Sequence, residues 1–117
     1  MRLLSLLFVL LVTLSVTPLA ADARSDAKKQ IEFGIAVAQR GLWREAIYRW
    51  ERAAQIDPSY AAAHNNLAIA YEHEGELDKA RSSYEKAIEL EPNNTFIKQN
   101  YELFKEINDR TTRQDSQ

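Results

Sequence analysis

The chain has 117 residues, with 17 acidic side chains against 15 basic ones, and it contains no cysteine. The lack of cysteine excludes disulfides, thiolate metal sites and thiol nucleophiles, and the net charge of −2 argues against a nucleic-acid partner, whose phosphates need a basic surface. Outside its apolar start the chain can form one compact domain of roughly 90 residues, which is too small to enclose a large substrate cavity.

The amino terminus has the pattern of a secretory signal. Arg2 precedes Leu3–Val16, a run of fourteen residues without a charge, and small residues follow. This order predicts a signal peptide over residues 1–23, with cleavage after Ala23 and export to the periplasm or the medium. The alternative is an uncleaved membrane anchor, since Leu3–Ala21 is nearly long enough to span a bilayer. Contact with a membrane is expected only in that case.

The rest of the sequence contains a repeat. Residues 27–60 and 61–94 align without a gap, and eight of the 34 aligned pairs are identical. Most of the identities are small residues or the turn-forming glycine and proline, which backbone geometry selects more than burial does. Each unit contains two stretches with apolar residues at three- and four-residue spacing, which is typical of two helices. The chain is therefore predicted to contain two helical hairpins in tandem.

Each unit has a glycine after its first helix and a proline after its second. Glycine ends a helix by adopting the left-handed conformation at low cost, and proline disfavours helix at the preceding residue. After the second proline we expect an amphipathic capping helix and then a disordered polar tail over residues 110–117. The predicted helices are Asp26–Arg40, Trp43–Ile56, a third from the candidate cap Ser59 to Glu74, Asp78–Leu90 and Thr95–Asp109.

This pattern resembles the tetratricopeptide repeat, a 34-residue helix-turn-helix unit. The first unit matches that family at Gly34, Gly41, Ala46, Trp50, Ala53 and Pro58. The second unit matches at Ala68, Tyr71, Gly75, Ala80, Tyr84, Ala87 and Pro92. The resemblance implies an all-α fold, an α-solenoid with right-handed superhelical stacking over residues 24–109. It comprises repeat 1 at 27–60, repeat 2 at 61–94 and the capping helix at 95–109.

The resemblance also implies a groove for a partner, lined by the first helix of each repeat and by the capping helix. At the family's ligand-facing positions, repeat 1 has Lys28, Ile31, Glu32, Ile35 and Gln39. The corresponding residues are Asn65, Asn66, Ile69, Glu72 and His73 in repeat 2, and Phe96, Asn100 and Leu103 in the capping helix. Apolar residues form a strip through these positions, so the expected partner is a protein or peptide that supplies an apolar helix or an extended segment. The alternative is that the strip packs against a second copy of the chain.

No set of residues in the sequence predicts catalysis, a cofactor or a metal. Nucleophile motifs and glycine-rich phosphate loops are absent, and His64 and His73 do not form the i, i+4 pair of helix metal sites. The acidic residues around Gly75 lack the twelve-residue spacing of a calcium loop. We therefore predict an exported, non-enzymatic interaction scaffold. The alternative is a membrane-anchored or self-associating structural subunit of a larger envelope or secretory assembly.

Overall fold

A computed structural model describes residues 17–117 as five α-helices joined by short turns. The helices are α1 (Thr17–Ala38), α2 (Trp43–Ile56), α3 (Ala61–His73), α4 (Leu77–Leu90) and α5 (Thr95–Asp115). No strand occurs within this range, and the predicted all-α solenoid is confirmed. α1 packs on α2 and α3 packs on α4, while α2 also contacts α3 and α5 contacts α4. This is the order of neighbours expected of two stacked hairpins and a capping helix.

A glycine follows the first helix of each repeat, as predicted. Gly41 and Gly75 have φ values of 78° and 76°, in the left-handed region where a side chain is strained. This conformation lets the N–H of Leu42 donate to the carbonyl of Val37 at 3.0 Å, which satisfies one of the last carbonyls of α1. α1 consequently ends at Ala38, two residues before its predicted end.

The start of α3 differs from the prediction. The helix begins after Tyr60, and no side chain caps it. The expected cap, Ser59, instead donates its hydroxyl proton to Oδ1 of Asp57 at 2.7 Å, and the same oxygen accepts from the N–H of Ser59. Asp57 thus closes a local turn at the end of α2, as aspartate often does. Because the Ser59 side chain is bonded within this turn, it does not cap α3. The prediction of Ser59 as a helix cap was wrong.

Small residues bring the paired helices together, and two large side chains fill the space beside them. Several alanines at helix contacts have no exposed surface, among them Ala46, Ala53, Ala68, Ala80 and Ala87. Helix axes can approach closely only where such small residues face each other. Trp50 and Tyr84 are 4% and 2% exposed and occupy corresponding positions in the two repeats. The small residues and aromatics expected from the repeat pattern therefore lie in the core.

The aromatic of each repeat is matched to a small residue on the facing helix. A Cβ at Gly34 would lie 2.7 Å from Cδ1 of Trp50, which is closer than carbon atoms pack. The indole N–H of Trp50 donates to the carbonyl of Ile31 at 3.1 Å and fixes the ring there. In repeat 2 the smaller Tyr84 lies in one cluster with Ala68. The larger ring therefore faces glycine and the smaller ring faces alanine.

α5 is anchored to repeat 2 by the aromatic ring of Phe104. This side chain is 1% exposed, and its ring centre lies 5.4 Å from that of Tyr84 and 6.3 Å from that of Tyr101. Ile97, which is 2% exposed, makes a second buried contact near the start of the helix, in a cluster with Ala87. The predicted role of this helix as the cap of repeat 2 agrees with these contacts.

The carboxyl-terminal part of α5 was not predicted. The helix continues to Asp115, so the expectation of a disordered tail is wrong for residues 110–115. The extension lacks an apolar pattern, but Arg110 pairs with Glu106 one turn earlier, and the hydroxyl group of Thr111 donates to a carbonyl in the preceding turn. Pairs of opposite charge at this spacing stabilise helices without any burial.

The described part of α1 begins ahead of the first repeat. It extends from Thr17 through the predicted cleavage point after Ala23 without a break. None of the helices between Thr17 and Asp115 is both long and apolar enough to cross a membrane. The run Leu3–Val16, on which the predictions of a signal peptide and of an anchor depend, lies outside the described residues.

Arg24 holds this leading part of α1 against the turn between the repeats. Its Nε donates to Oδ2 of Asp57 at 2.5 Å, and its guanidinium carbon lies 4.3 Å from the centre of the Tyr60 ring. Both partners follow α2, so Arg24 connects the part of α1 ahead of repeat 1 with the turn where repeat 2 begins. The contact is half-exposed, since 48% of the arginine side chain remains accessible.

We expect Arg24→Ala to lower the free energy of unfolding by about 1 kcal/mol at neutral pH. Burial alone would raise the pKa of Asp57, but hydrogen bonds from Arg24 and Ser59 outweigh it and hold that pKa below its usual value. A lowered pKa stabilises the fold above the ordinary aspartate pKa of about 4, and this contribution is lost as the pH falls through the folded-state value. Urea titrations at neutral and acid pH should show the effect of the substitution shrinking below pH of about 4. A difference that stays constant with pH would contradict the ion pair.

Candidate interaction surface

The first helix of each repeat and α5 together present one face. α1 contacts α3, and Nδ2 of Asn100 on α5 donates to Oδ1 of Asn65 on α3 at 3.2 Å. We define the groove face as the residues at the same four positions of each helix, none of which is buried. They are Lys28, Glu32, Ile35 and Gln39 on α1, Ala62, Asn66, Ile69 and His73 on α3, and Phe96, Asn100, Leu103 and Ile107 on α5.

An aliphatic row crosses the groove face. It consists of Ile35, Ile69 and Leu103, which are spaced by 34 residues and therefore occupy the same position on three neighbouring helices. Ile35 is 41% exposed and Leu103 is 57% exposed. Ile69 is half-buried, because it also packs against the cluster that contains Tyr84. Most of the predicted apolar strip is thus accessible to a partner.

α5 adds two apolar side chains beside the row. Phe96 is 62% exposed and Ile107 is 49% exposed, so the two form a line with Leu103 along one side of the helix. Phe96 was expected at the groove. Ile107 was missed, although it lies four residues after Leu103 and thus one turn away on the same face. A search for apolar residues four positions from Leu103 in the capping helix would have identified it.

One residue of the predicted strip is not available to a partner. Ile31 is 6% exposed and belongs to the core cluster of repeat 1, together with Leu67 of α3. Asn65, at the same position of repeat 2, is 4% exposed. On α1 and α3 this position packs towards the next of the helices that form the groove face. On α5, which has no such neighbour among the described residues, the equivalent residue Gln99 is exposed. The assignment of Ile31 and Asn65 to a partner-binding surface was wrong.

Glu72 and His73 bind neighbouring helices. The Glu72 carboxylate accepts from the hydroxyl of Tyr84 at 3.0 Å. Burial and this carboxylate raise the pKa of Tyr84 well above its ordinary value, so the hydroxyl stays protonated as a donor. The ring of His73 stacks on Trp43 of α2, with 4.1 Å between ring centres. Glu72 is half-buried and His73 is exposed, so both remain partly accessible while they contact α4 and α2.

The remaining predicted residues of the groove are polar and accessible. Lys28, Glu32 and Gln39 are exposed on α1, and Asn66 is half-buried on α3. Within residues 21–117, no lysine or arginine lies within ion-pair distance of the Glu32 carboxylate. The groove face therefore combines an apolar row with polar side chains that a ligand can still engage.

A second exposed patch lies at the amino end of the solenoid. Phe33 is 48% exposed, whereas Leu67, the residue 34 positions later, is 6% exposed because α2 covers it. The guanidinium carbon of Arg49 lies 4.2 Å from the centre of the Phe33 ring and 5.4 Å from that of Tyr48. Arg49 thus shields both rings in part from water. This patch was not predicted, because Phe33 aligns with Leu67 of repeat 2 and the two were expected to have similar surroundings.

The described part of the chain contains no group of three histidine, aspartate or glutamate side chains placed to hold a metal ion. His64 is half-buried, and its Nε2 lies 3.0 Å from the carbonyl oxygen of Pro58. His73 is engaged with an indole ring, as described above.

Two comparisons with protein families agree with the observed repeats. The tetratricopeptide repeat family matches residues 61–94, which is the second predicted unit. A related TPR repeat family matches residues 34–75, across the junction between the units. The two matches together span 34–94 and include α2, α3, α4 and part of α1.

Several curated proteins are similar to this chain. The type IV pilus assembly protein PilF of Pseudomonas aeruginosa is 34% identical over 86 residues, which are 72% of this chain and 34% of that protein. The chloroplastic tetratricopeptide repeat domain-containing protein PYG7 of Arabidopsis thaliana is 30% identical over 73 residues, 62% of this chain and 24% of PYG7. The protein O-mannosyl-transferase TMTC4 of Mus musculus is 34% identical over 64 residues, 55% of this chain and 9% of that protein. The chain spans about a third or less of the length of each.

Proposed function

Because residues 34–94 carry tetratricopeptide repeats, we propose that this protein is an exported, non-enzymatic scaffold that binds a polypeptide partner through its groove face. Repeats of this family generally mediate contacts between proteins. The observation that carries the proposal is the aliphatic row, in which Ile35 and Leu103 keep 41% and 57% of their surface exposed. Accessible apolar residues aligned across several helices are more typical of an interaction site than of a surface without a partner.

The relatives support a role in assembly. PilF is named as a pilus assembly protein, and it shares 86 aligned residues with this chain. The match to the transferase TMTC4 covers only 9% of that enzyme, so it lends no support to catalysis here. We infer that the chain acts by holding other polypeptides, as part of a larger assembly or as its recruiting subunit.

Replacing two residues of the aliphatic row with glutamate should abolish capture of the partner. The variant Ile35→Glu plus Ile69→Glu places two carboxylates where a ligand would bury apolar surface, and burying an unpaired charge costs several kcal/mol. Pull-downs from the native compartment, followed by mass spectrometry, compare the proteins captured by the wild type and by the variant. Helical circular dichroism verifies that the double variant is folded.

A matched control adds the same charges elsewhere. Leu42 and Leu77 are 47% and 42% exposed and lie at the starts of α2 and α4, outside the groove face. The variant Leu42→Glu plus Leu77→Glu should therefore retain the partner. Unchanged capture by the folded Ile35→Glu plus Ile69→Glu variant would remove the groove face from the proposed function.

Export is the second part of the proposal, and it depends on the sequence of residues 1–23. The apolar run and the small residues before Arg24 support cleavage, while an uncleaved anchor would make the protein a membrane-attached subunit of an assembly. Amino-terminal sequencing of the mature protein distinguishes the two. We expect the mature chain to begin at Arg24; an intact Met1 would favour the anchor.

A further inference from the structure

Three positions that pack against the preceding repeat on α3 and α5 are open on α1. On α3 they lie in one buried cluster with residues of repeat 1, and they are Ala63, Leu67 and Ala70. On α5 they pack with residues of repeat 2, and they are Ile97, Tyr101 and Phe104. On α1 the same positions are exposed, and we define them as the amino-terminal face: Lys29, Phe33 and Ala36.

The amino-terminal face has the composition of a helix contact. The outer face of a terminal repeat in a solenoid is polar where nothing covers it. Here Phe33 keeps 48% of its surface exposed, and Tyr48 of α2, which lies near the same Arg49 guanidinium, keeps 53%. Ala36 is small enough to let another helix approach closely. The face is therefore suited to packing against a helix that lies outside the described fold.

Inside the molecule, the helix that covers this face is the second helix of a repeat. α2 contacts α3 and α4 contacts α5, so both second helices of the chain are already engaged on that side. A second copy therefore cannot continue the array without displacing α3 or α5. A contact that joins the amino-terminal faces of two copies requires no such displacement.

The charges along α1 fit such a contact when the two helices run antiparallel. Asp26 lies seven residues before Phe33 and Arg40 seven residues after it, so each is about 10.5 Å away on the same side of the helix. Arg40 follows the end of α1, but its N–H donates to the carbonyl of Val37 at 3.1 Å, which keeps it near the helical path. If the two Phe33 rings meet at a two-fold axis, Asp26 of each copy faces Arg40 of the other. A parallel contact would oppose like charges instead.

Both charged groups are available for this contact. Lys29 lies 3.5 Å from Oδ1 of Asp26, with both side chains more than half exposed, so the second carboxylate oxygen can accept from an arginine. Within residues 21–117, no carboxylate lies within ion-pair distance of Arg40. Arg49, which lies over the Phe33 ring, is already paired with Glu45 at 3.1 Å.

We propose that the protein forms a two-fold symmetric dimer through its amino-terminal faces, with α1 antiparallel to α1 of the second copy. Each Phe33 ring packs on the other and on the small Ala36, and each Asp26 carboxylate pairs with Arg40 of the other copy. Ile35 lies two residues after Phe33, which turns it by about 200° to another side of α1. The dimer thus leaves both groove faces open, and it presents two binding sites to one assembly.

Sedimentation equilibrium of the mature protein tests the proposal. We expect a monomer–dimer equilibrium with a Kd of about 1–50 μM. Phe33→Ala should raise this Kd by at least about tenfold, because the interface loses two aromatic rings. Leu103→Ala is the matched control, since it shortens a similarly exposed side chain on the groove face, and it should leave the Kd unchanged.

Charge reversal tests the antiparallel register. Asp26→Arg and Arg40→Asp each oppose like charges in both ionic contacts of a homodimer, so each should weaken self-association by at least about tenfold. When the two variants are mixed, arginine opposes aspartate in both contacts. The heterodimer should therefore form at least about tenfold more tightly than either homodimer. Native mass spectrometry resolves the three dimers by mass, and circular dichroism verifies that each variant is folded.

The opposite results overturn the inference. A protein that stays monomeric up to about 500 μM forms no such dimer. A dimer that is kept in Phe33→Ala but lost in Leu103→Ala uses the groove face, and a mixture without preference for the heterodimer excludes the antiparallel register. These variants leave Ile35 and Ile69 unchanged, so a monomeric protein that still captures its partner overturns this inference and not the proposed function.

Discussion

Phe104→Ala is expected to lower the free energy of unfolding by about 3–5 kcal/mol. The ring is 1% exposed and packs against Tyr84 and Tyr101, so truncation leaves a cavity between α5 and repeat 2. A domain of this size has a total stability of about 5–15 kcal/mol, and the loss is a large part of it. Urea unfolding followed by circular dichroism measures the change.

The neighbouring residue provides the control. Leu103 precedes Phe104 on the same helix but is 57% exposed, so Leu103→Ala should change stability by no more than about 0.5–1 kcal/mol. The two variants alter helix propensity to a similar small extent. Equal destabilisation by both would mean that α5 is not anchored through its buried aromatic.

Gly34→Ala should destabilise the protein although alanine is the better helix former. The added methyl group would meet the ring of Trp50, and overpacking of this kind costs about 1–3 kcal/mol, against a gain of about 1 kcal/mol in helix propensity. We expect a net loss of up to about 2 kcal/mol. Thermal and urea unfolding check the sign, which is opposite to that expected for a glycine with free space around it.

Trp50→Tyr should then rescue the alanine variant, because it reproduces the Ala68 and Tyr84 pair of repeat 2. Alone it removes the hydrogen bond to the carbonyl of Ile31 and some buried surface, so it should cost stability in the wild-type background. In the Gly34→Ala background the smaller ring relieves the clash. A double-mutant cycle should give a coupling of at least about 1 kcal/mol, and additivity within about 0.5 kcal/mol would contradict the matched-pair account.

Much of the fold could be predicted from the repeat period. The limits of α2 were predicted to the residue, because Trp43 starts a clear apolar periodicity and Pro58 follows its end. Gly41 and Gly75 end their helices as predicted, since only glycine adopts a positive φ at low cost. These signals are local, and a reading of neighbouring residues is sufficient to find them.

The departures arise where distant residues decide the outcome. Ile31 has the spacing of a groove residue, but contact with α3 buries it, and no property of repeat 1 alone indicates this. The end of α5 was missed for a different reason. An ion pair between Arg110 and Glu106 supports this end of the helix, and such a pair contributes nothing to apolar periodicity.

The candidate surface could be located but not delimited from sequence. The aliphatic row follows from the 34-residue period, because equal positions in successive repeats face the same way. Glu72 and His73 belong to the same helix face by spacing, yet their side chains bind Tyr84 and Trp43. Side chains near the boundary of a helix face can turn either way, and tertiary contacts decide between them.

The coverage of α4 by α5 has a consequence for anyone who wishes to lengthen this array. A further 34-residue module would not find on α5 the small residue that each repeat offers to its second helix, because Glu102 lies where repeats 1 and 2 have Gly34 and Ala68. If the same module were inserted between Asn94 and Thr95, its first helix would pack against α4 and its second helix would pack against α5. Growth by internal duplication is therefore compatible with the helix contacts of this architecture.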